Sequence, residues 1–256
     1  SEMKKLVLVA AIAATTFGAV STAQAEVTTS ANVGVYTDYR FRGVSQTNND
    51  FALQGGFDVD FGNGFYVGNW NSNVSFGANS LEMDFYGGYA GEFANGIAYD
   101  AGLLYYYYPN TPNNTGLTDA DTLEAYGSLG YKGLTASLNV SLTDDYFALQ
   151  SITNGVAQGE NSDLGGSTYF KLAYEYPISE ALAFGVSYGI TNYADDIVAI
   201  DGSALDSYQD YSVGLTYTAG KFTYGAAFVG TDDDGELVLG KDQGEADLIL
   251  SISTSF

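Results

Sequence analysis

The 256-residue chain has no cysteine and no histidine, and only three prolines and eight basic residues. Without cysteine there is no disulfide framework and no thiol nucleophile. Without either residue there is no zinc site of the usual ligand set and no Ser-His-Asp triad. Eight bases against 31 acids leave a formal net charge of -23, which repels phosphate and excludes a nucleic-acid partner. Charge of either sign is scarce at 15%, whereas hydrophobic residues reach 46% and aromatic residues 15%, with 22 tyrosines and 32 glycines. Disordered chains lack apolar and aromatic residues, so this one folds.

Long hydrophobic runs are also nearly absent. One spans residues 6–20, broken only by Thr15, Thr16 and Gly18, behind Met3, Lys4 and Lys5 and ahead of Ala23, Gln24 and Ala25. A basic start, an apolar stretch and a small-x-small site describe a secretory signal peptide, expected over residues 1–25. The run is shorter than the roughly 18 to 20 residues of a transmembrane helix. Its removal would leave residues 26–256 as one domain, with thirty acids against six bases. Since no later run is long enough to cross a bilayer as a helix, a membrane-embedded form must be a barrel.

What fills the remaining chain is period-two alternation. Leu134, Ala136, Leu138, Val140 and Leu142 alternate with Thr135, Ser137, Asn139 and Ser141, and only a strand places such residues on opposite faces. Leu182, Phe184, Val186, Tyr188 and Ile190 repeat the pattern against small or polar neighbours. Twelve such segments are predicted: 29–42, 50–61, 65–74, 81–93, 97–108, 122–131, 134–143, 167–176, 182–193, 208–218, 222–230 and 245–256. Each has roughly the length of a tilted membrane-crossing strand. The connectors 62–64, 94–96, 132–133, 177–181 and 219–221 are tight and rich in turn residues. Between them fall longer ones, 43–49, 75–80, 109–121, 144–166, 194–207 and 231–244. Short and long connectors taking turns fit an outer-membrane barrel, all-β, closed and antiparallel, an up-and-down meander of about twelve strands with both termini at the short-turn end.

Alternation alone leaves open which face is wet. Parity places Asp38, Arg40, Arg42, Asp58, Asp60, Glu82, Asp84, Glu92, Asp100, Glu124, Lys171, Glu175, Asp210 and Asp247 on the polar face. If the apolar faces turned inward, twelve strands would send in more volume than a filled barrel holds, since filling suits about eight strands. Lipid outside and a polar lumen are therefore expected, with these charged residues lining the pore. Aromatic residues cluster at segment ends, among them Tyr39, Phe65, Tyr66, Phe93, Tyr131, Tyr174, Tyr217 and Phe222, as interfacial girdles do. The final strand ends in Phe256, which resembles the signal read by the bacterial outer-membrane assembly machinery.

Three stretches carry a family resemblance: YTDYRFRGVSQT at residues 36–47, QGGFDVDFGNGFYVGNWNSNV at 54–74 and LEMDFYGGYAGE at 81–92. The chain resembles the TorF family of putative porins over residues 26–108, and beyond residue 110 only the strand grammar and the terminal Phe match. The resemblance implies an outer-membrane β-barrel of a Gram-negative bacterium with a channel role. It carries no catalytic residues, and it names no solute.

Several constellations remain. Asp38, Arg40 and Arg42 at i, i+2 and i+4 would project together into the lumen from strand 1, within reach of Asp58, Asp60, Glu245 and Asp247. They form either a charge arrangement that sets selectivity or a buried network that satisfies itself. Residues 231–236, TDDDGE, suggest a calcium loop, but the glycine is misplaced for one. Solvated loop acids are the better reading, with bridging to lipopolysaccharide phosphates left open. Glu82 and Asp84 offer a carboxylate pair for glycoside hydrolysis, but two acids at i, i+2 are weak evidence. Barrel-embedded hydrolases need a histidine base, so no enzyme, cofactor or metal is expected. The 144–166 connector can fold inward as a plug or project outward. The expected function is passive diffusion of small solutes or ions. The alternative is a non-conducting surface protein with a structural or adhesive role. With Glu245 counted, twelve lumen acids against Arg40, Arg42, Lys132 and Lys171 point to a cation-preferring passage, narrowed by Tyr86, Tyr106, Tyr126 and Tyr169. Expected partners are outer-membrane lipid, lipopolysaccharide, the assembly machinery and small solutes.

Overall fold

A strand with one apolar and one polar face is stable in lipid only when both of its edges are paired, which a closed sheet achieves. The computed structural model describes residues 26–109 and 119–256, so the signal peptide expected over residues 1–25 lies outside the described part. Among the described residues, twelve antiparallel strands form one closed barrel. They are β1 (Thr28–Tyr36), β2 (Ala52–Asp60), β3 (Phe65–Phe76), β4 (Asn79–Glu92), β5 (Ala98–Tyr107) and β6 (Thr122–Tyr131). The second half comprises β7 (Leu134–Ser141), β8 (Thr168–Pro177), β9 (Leu182–Val198), β10 (Ala204–Ala219), β11 (Phe222–Thr231) and β12 (Asp247–Ser255). Every strand pairs with its sequence neighbour, and β1 closes on β12 from Asn32↔Ser255 to Tyr36↔Ser251.

Register converts the alternation into an inside and an outside. Val213 pairs with Phe228 and Phe228 with Leu248, so large apolar side chains meet in rows on the outer face. Leu53, Phe57, Leu103, Leu215 and Phe228 are all exposed there. A hydrophobic belt this extensive is costly in water and favourable in hydrocarbon. Phe65, Phe93, Tyr131, Tyr174, Tyr176, Tyr217 and Phe222 are exposed around the short-turn rim. Tyr39 and Tyr66, expected in that girdle, point inward instead, where their hydroxyls donate to Glu82 and Asp100. Asn69, Asn71 and Asn73 break the apolar face of β3. Their amides donate to the carbonyls of Asp84 (2.9 Å), Gly55 (3.2 Å) and Phe51 (3.0 Å), so no donor is left bare toward lipid.

The turns at one rim are tight for a backbone reason. Lys132 and Gly133 both adopt positive φ, 49° and 85°, the requirement of a two-residue hairpin turn whose twist matches its strands. At the opposite rim the alternation of connector lengths holds less strictly than expected. The β3–β4 connection is only Gly77 and Ala78, because the strands pair on through Phe76↔Asn79. Strand β9 has 17 residues and β10 has 16, against about 9 to 11 needed to cross a bilayer. Their hairpin therefore projects from the barrel, and only residues 199–203 connect it. A register shift between Asn192 and Ile197 bends it, as β-bulges do.

Candidate functional site

The lumen is entered by a connector that parity alone misplaces. Strand β1 stops at Tyr36, and Asp38, Arg40 and Arg42 lie beyond it in a hook of residues 37–51 folded into the barrel. Arg40 pairs with Ser45 and Phe41 with Val44. Arg42 and Gly43 form the turn at φ 48° and 82°. Glycine is required at the tip: a Cβ on Gly43 would sit 2.6 Å from Thr231 Cγ2 and 2.7 Å from Asp210 Cβ. Alternation continues through this hairpin as it would through a strand, which is why the sequence extends β1 too far.

Each hook charge is tied differently from the expectation. Asp38 accepts from Arg40 Nε, from Ser45 Oγ at 2.6 Å and from Thr47 Oγ1 at 2.7 Å. Arg40 also donates to the carbonyls of Gln243 (2.8 Å) and Glu245 (3.0 Å), binding the hook to the β11–β12 connector. Arg42 does not meet Asp58, Asp60 or Asp247. It crosses to β6, where Nη2 contacts both oxygens of Glu124 at 2.7 and 2.8 Å, while Nη1 donates to Tyr146. Its guanidinium lies 4.6 Å from the Phe41 ring centre and 4.4 Å from that of Tyr169. Burial pushes the Tyr146 phenol well above its ordinary value, so this residue stays neutral beside the ion pair.

One side of the lumen is an acid wall paved with tyrosine. Glu82 accepts from Tyr39 (2.8 Å) and Tyr108 (2.6 Å), Asp58 from Tyr86 (2.6 Å) and Asp100 from Tyr66 (2.6 Å). Glu124 accepts in addition from Asn139 at 2.9 Å. Asp84 is buried with one carboxylate oxygen unpartnered among the described residues. Tyr86, Tyr106, Tyr126 and Tyr169 all face inward, as the parity predicts. Asp60, Glu92 and Asp247 are exposed at the strand ends.

The long-connector mouth is closed by an apolar lid. Tyr146 and Leu164 of the β7–β8 connector pack with Val44 of the hook and with Tyr193, Ile197, Leu205 and Tyr208 of the bent hairpin. Leu237, Val238 and Leu239 add to it from the β11–β12 connector. Backbone bonds stitch these pieces together, Val198 to Gln150 and Ile200 to Leu237. The connector expected to plug or to project thus folds over the mouth. The TDDDGE segment is no open loop: Asp232 Oδ1 accepts from the amides of Gly235 (3.0 Å) and Gln209 (3.2 Å), setting the lid's short helical turn, Glu236–Leu239. Among the described residues no cluster of acids is spaced to hold a metal.

Beneath the hook a cavity of about 540 Å³ runs down the β6–β12 side to the short-turn rim, where Lys132 and Pro177 border it. Its charged lining is balanced, Asp38, Glu92, Glu175 and Asp210 against Arg40, Arg42, Lys132 and Lys171. Sequence reasoning missed Tyr39 and Tyr146 as lumen residues. The Arg42–Gly43 dipeptide was the one local sign of a turn there.

The family described as "Bacterial protein of unknown function (Gcw_chp)" matches residues 20–256. No curated protein matches the sequence. Among solved structures, the KdgM porin aligns over 89% of this chain and 99% of its own, at 8% identity and a TM-score of 0.53. The NanC porin aligns over 90% and 99%, at 11% identity and the same TM-score of 0.53. KdgM in complex with disordered oligogalacturonate aligns over 89% and 99%, at 9% identity and a TM-score of 0.52. At such identities the likeness is one of fold: a closed barrel of the outer-membrane porin type.

Proposed function

We propose that this chain, which belongs to the Gcw_chp family of bacterial proteins of unknown function, is an outer-membrane channel for small solutes, held closed here by its own connectors. One observation carries this reading: the lumen is blocked by the hook and by connectors folded over the mouth, segments held by side-chain contacts and a few loop backbone bonds and lying outside the strand pairing that closes the barrel. Such a plug can leave while the sheet stays closed. The exposed apolar belt supports residence in a Gram-negative outer membrane, after export on the signal peptide of residues 1–25 and assembly through the strand that ends in Phe256. The TorF resemblance belongs to the same reading, since YTDYRFRGVSQT spans most of the hook. The reading assigns no catalysis, and Glu82 serves as the acceptor of two tyrosine hydroxyls.

Ion preference follows from what the hook takes with it. Arg40 and Arg42 are hook residues, whereas Glu82, Asp84 and Glu124 belong to the wall. An open passage is therefore acidic and prefers cations and neutral solutes. One fold neighbour is described with oligogalacturonate, an acidic sugar. Here the hook arginines are neutralised by Asp38 and Glu124, so such a ligand finds no free basic track. In planar bilayers under a KCl gradient, the reversal potential should show potassium preferred over chloride, and replacing Arg40 and Arg42, which leave with the hook, by glutamine should keep that preference. Chloride preference would overturn the ion reading. The sealed mouth favours a second reading, a non-conducting surface protein. That reading stands if neither the intact barrel nor one lacking residues 148–163 swells liposomes in small sugars.

A further inference from the structure

In the cavity below the hook, Lys171 and Asp210 border a common space without forming an ion pair. Lys171 of β8 pairs in register with Gly189 of β9, and Gly189 with Asp210 of β10. The three form one transverse row with glycine at its centre. Two strand spacings place the Cα atoms of Lys171 and Asp210 roughly 10 Å apart. The two side chains lie within each other's field, yet the ion pairs among the described residues are only Arg40–Asp38 and Arg42–Glu124. Four residues further along β8, Glu175 faces the same cavity opposite Gly185 and Gly214, again outside any ion pair.

Two buried groups show that this wall is unsatisfied. Asp210 is 5% exposed, and Oδ1 accepts weakly from Tyr169 at 3.3 Å, while Oδ2 has no partner among the described residues. Arg42 is 3% exposed, and its Nε likewise has none, although its other nitrogens are bound to Glu124 and Tyr146. A buried acceptor without a donor, beside a buried donor without an acceptor, is costly unless something brings both. Lys171 adds an ammonium that makes no hydrogen bond to the described protein and that borders the cavity. The volume, about 540 Å³, falls within the range of small-molecule sites. Glycine at the centre of the row lets Asp210 lie close over the backbone: a Cβ at Gly189 would collide with both Asp210 Oδ2 and the Tyr169 hydroxyl.

We propose that this cavity is a binding site for a small zwitterion of amino-acid or dipeptide size. Its carboxylate is held by Lys171 with the Arg42 edge beside it, and its ammonium by Asp210 with Glu175 below. A lone anion would leave the two acids unanswered, and a lone cation the lysine. A neutral solute would gain hydrogen bonds here but an ion pair with neither sign of charge. The site opens at the short-turn rim, so it needs no conducting channel. A barrel that never conducts leaves it standing, and a barrel that binds nothing leaves the channel reading standing.

The test uses the full barrel in detergent micelles and isothermal titration with three probes: diglycine carries both charges, N-acetylglycine only the carboxylate and glycinamide only the ammonium. Diglycine should bind at least tenfold more tightly than either. Lys171→Met should lower diglycine to the level of glycinamide, and Asp210→Asn to that of N-acetylglycine. Lys221→Met, in a turn outside the cavity, should change nothing. Equal binding of all three probes, no binding of diglycine, or a preference that survives both cavity substitutions would overturn the proposal. If a cavity variant does not assemble, the wild-type probe series decides alone.

Discussion

Replacing Arg42 by alanine is expected to unlatch the hook. The side chain makes two contacts to Glu124, at 2.7 and 2.8 Å, donates to Tyr146, and lies against the rings of Phe41 and Tyr169. Removing it leaves the Glu124 carboxylate, 0% exposed, with the Asn139 amide, the Tyr146 hydroxyl and a long contact from Tyr106 at 3.3 Å, and no positive charge. Breaking one side of a buried ion pair costs about 3 to 5 kcal/mol. In the closed state nothing relieves that cost, whereas withdrawal of the hook hydrates Glu124, so the loss falls on the closed state. With one decade per about 1.4 kcal/mol, the closed-to-open ratio should fall by roughly two to four orders of magnitude. Conductance in planar bilayers reads this directly as open probability. The double variant Arg42→Met, Glu124→Leu removes both charges and keeps the apolar contacts, and should return towards the closed state, since exchanging a whole buried pair costs little. Wild-type conductance in Arg42→Ala, or a double variant as open as the single one, would refute the latch.

Two further expectations test the wall and the hook tip. Leu215→Arg places a charge on the lipid face between Phe184 and Ala226, and should destabilise the folded barrel by about 2 to 4 kcal/mol if that position lies near the bilayer midplane. Urea titration of refolding into lipid vesicles measures this, and a change below about 1 kcal/mol would remove Leu215 from the hydrocarbon. Gly43→Val meets both the positive φ of 82° and the walls of Thr231 and Asp210 within 2.7 Å. Left-handed strain and overpacking together should cost the closed state roughly 2 to 5 kcal/mol. Conductance should rise while thermal unfolding of the barrel shifts little, and unchanged conductance would place the hook tip elsewhere.

Period-two patterning is a local property, and wherever strands follow it the sequence reads the structure closely. The strand predicted over residues 134–143 forms over Leu134–Ser141, with Leu138 outward and Asn139 inward on Glu124. The same rule fails at residues 37–42, because Asp38, Arg40 and Arg42 keep alternating with Tyr39 and Phe41 inside a two-residue hairpin. Parity reports which side of the local backbone a residue occupies. It does not report whether that backbone is still part of the sheet.

The sequence by itself determined a closed, twelve-stranded barrel with an apolar outside, because alternation, strand length and turn residues act between near neighbours and do not depend on the rest of the chain. Parity also put Glu82, Asp84, Asp100, Glu124 and Asp210 on the face where the structure buries them. Only the tertiary structure decided that Arg42 meets Glu124, 82 positions away, that the lid covers one mouth, and that the remaining cavity is balanced in charge. Those outcomes depend on where the long connectors come to rest. A connector settles wherever it buries its own Tyr146, Leu164 and Leu237 and satisfies its charges. That competition runs among all the segments at one rim and leaves no periodic trace in any one of them.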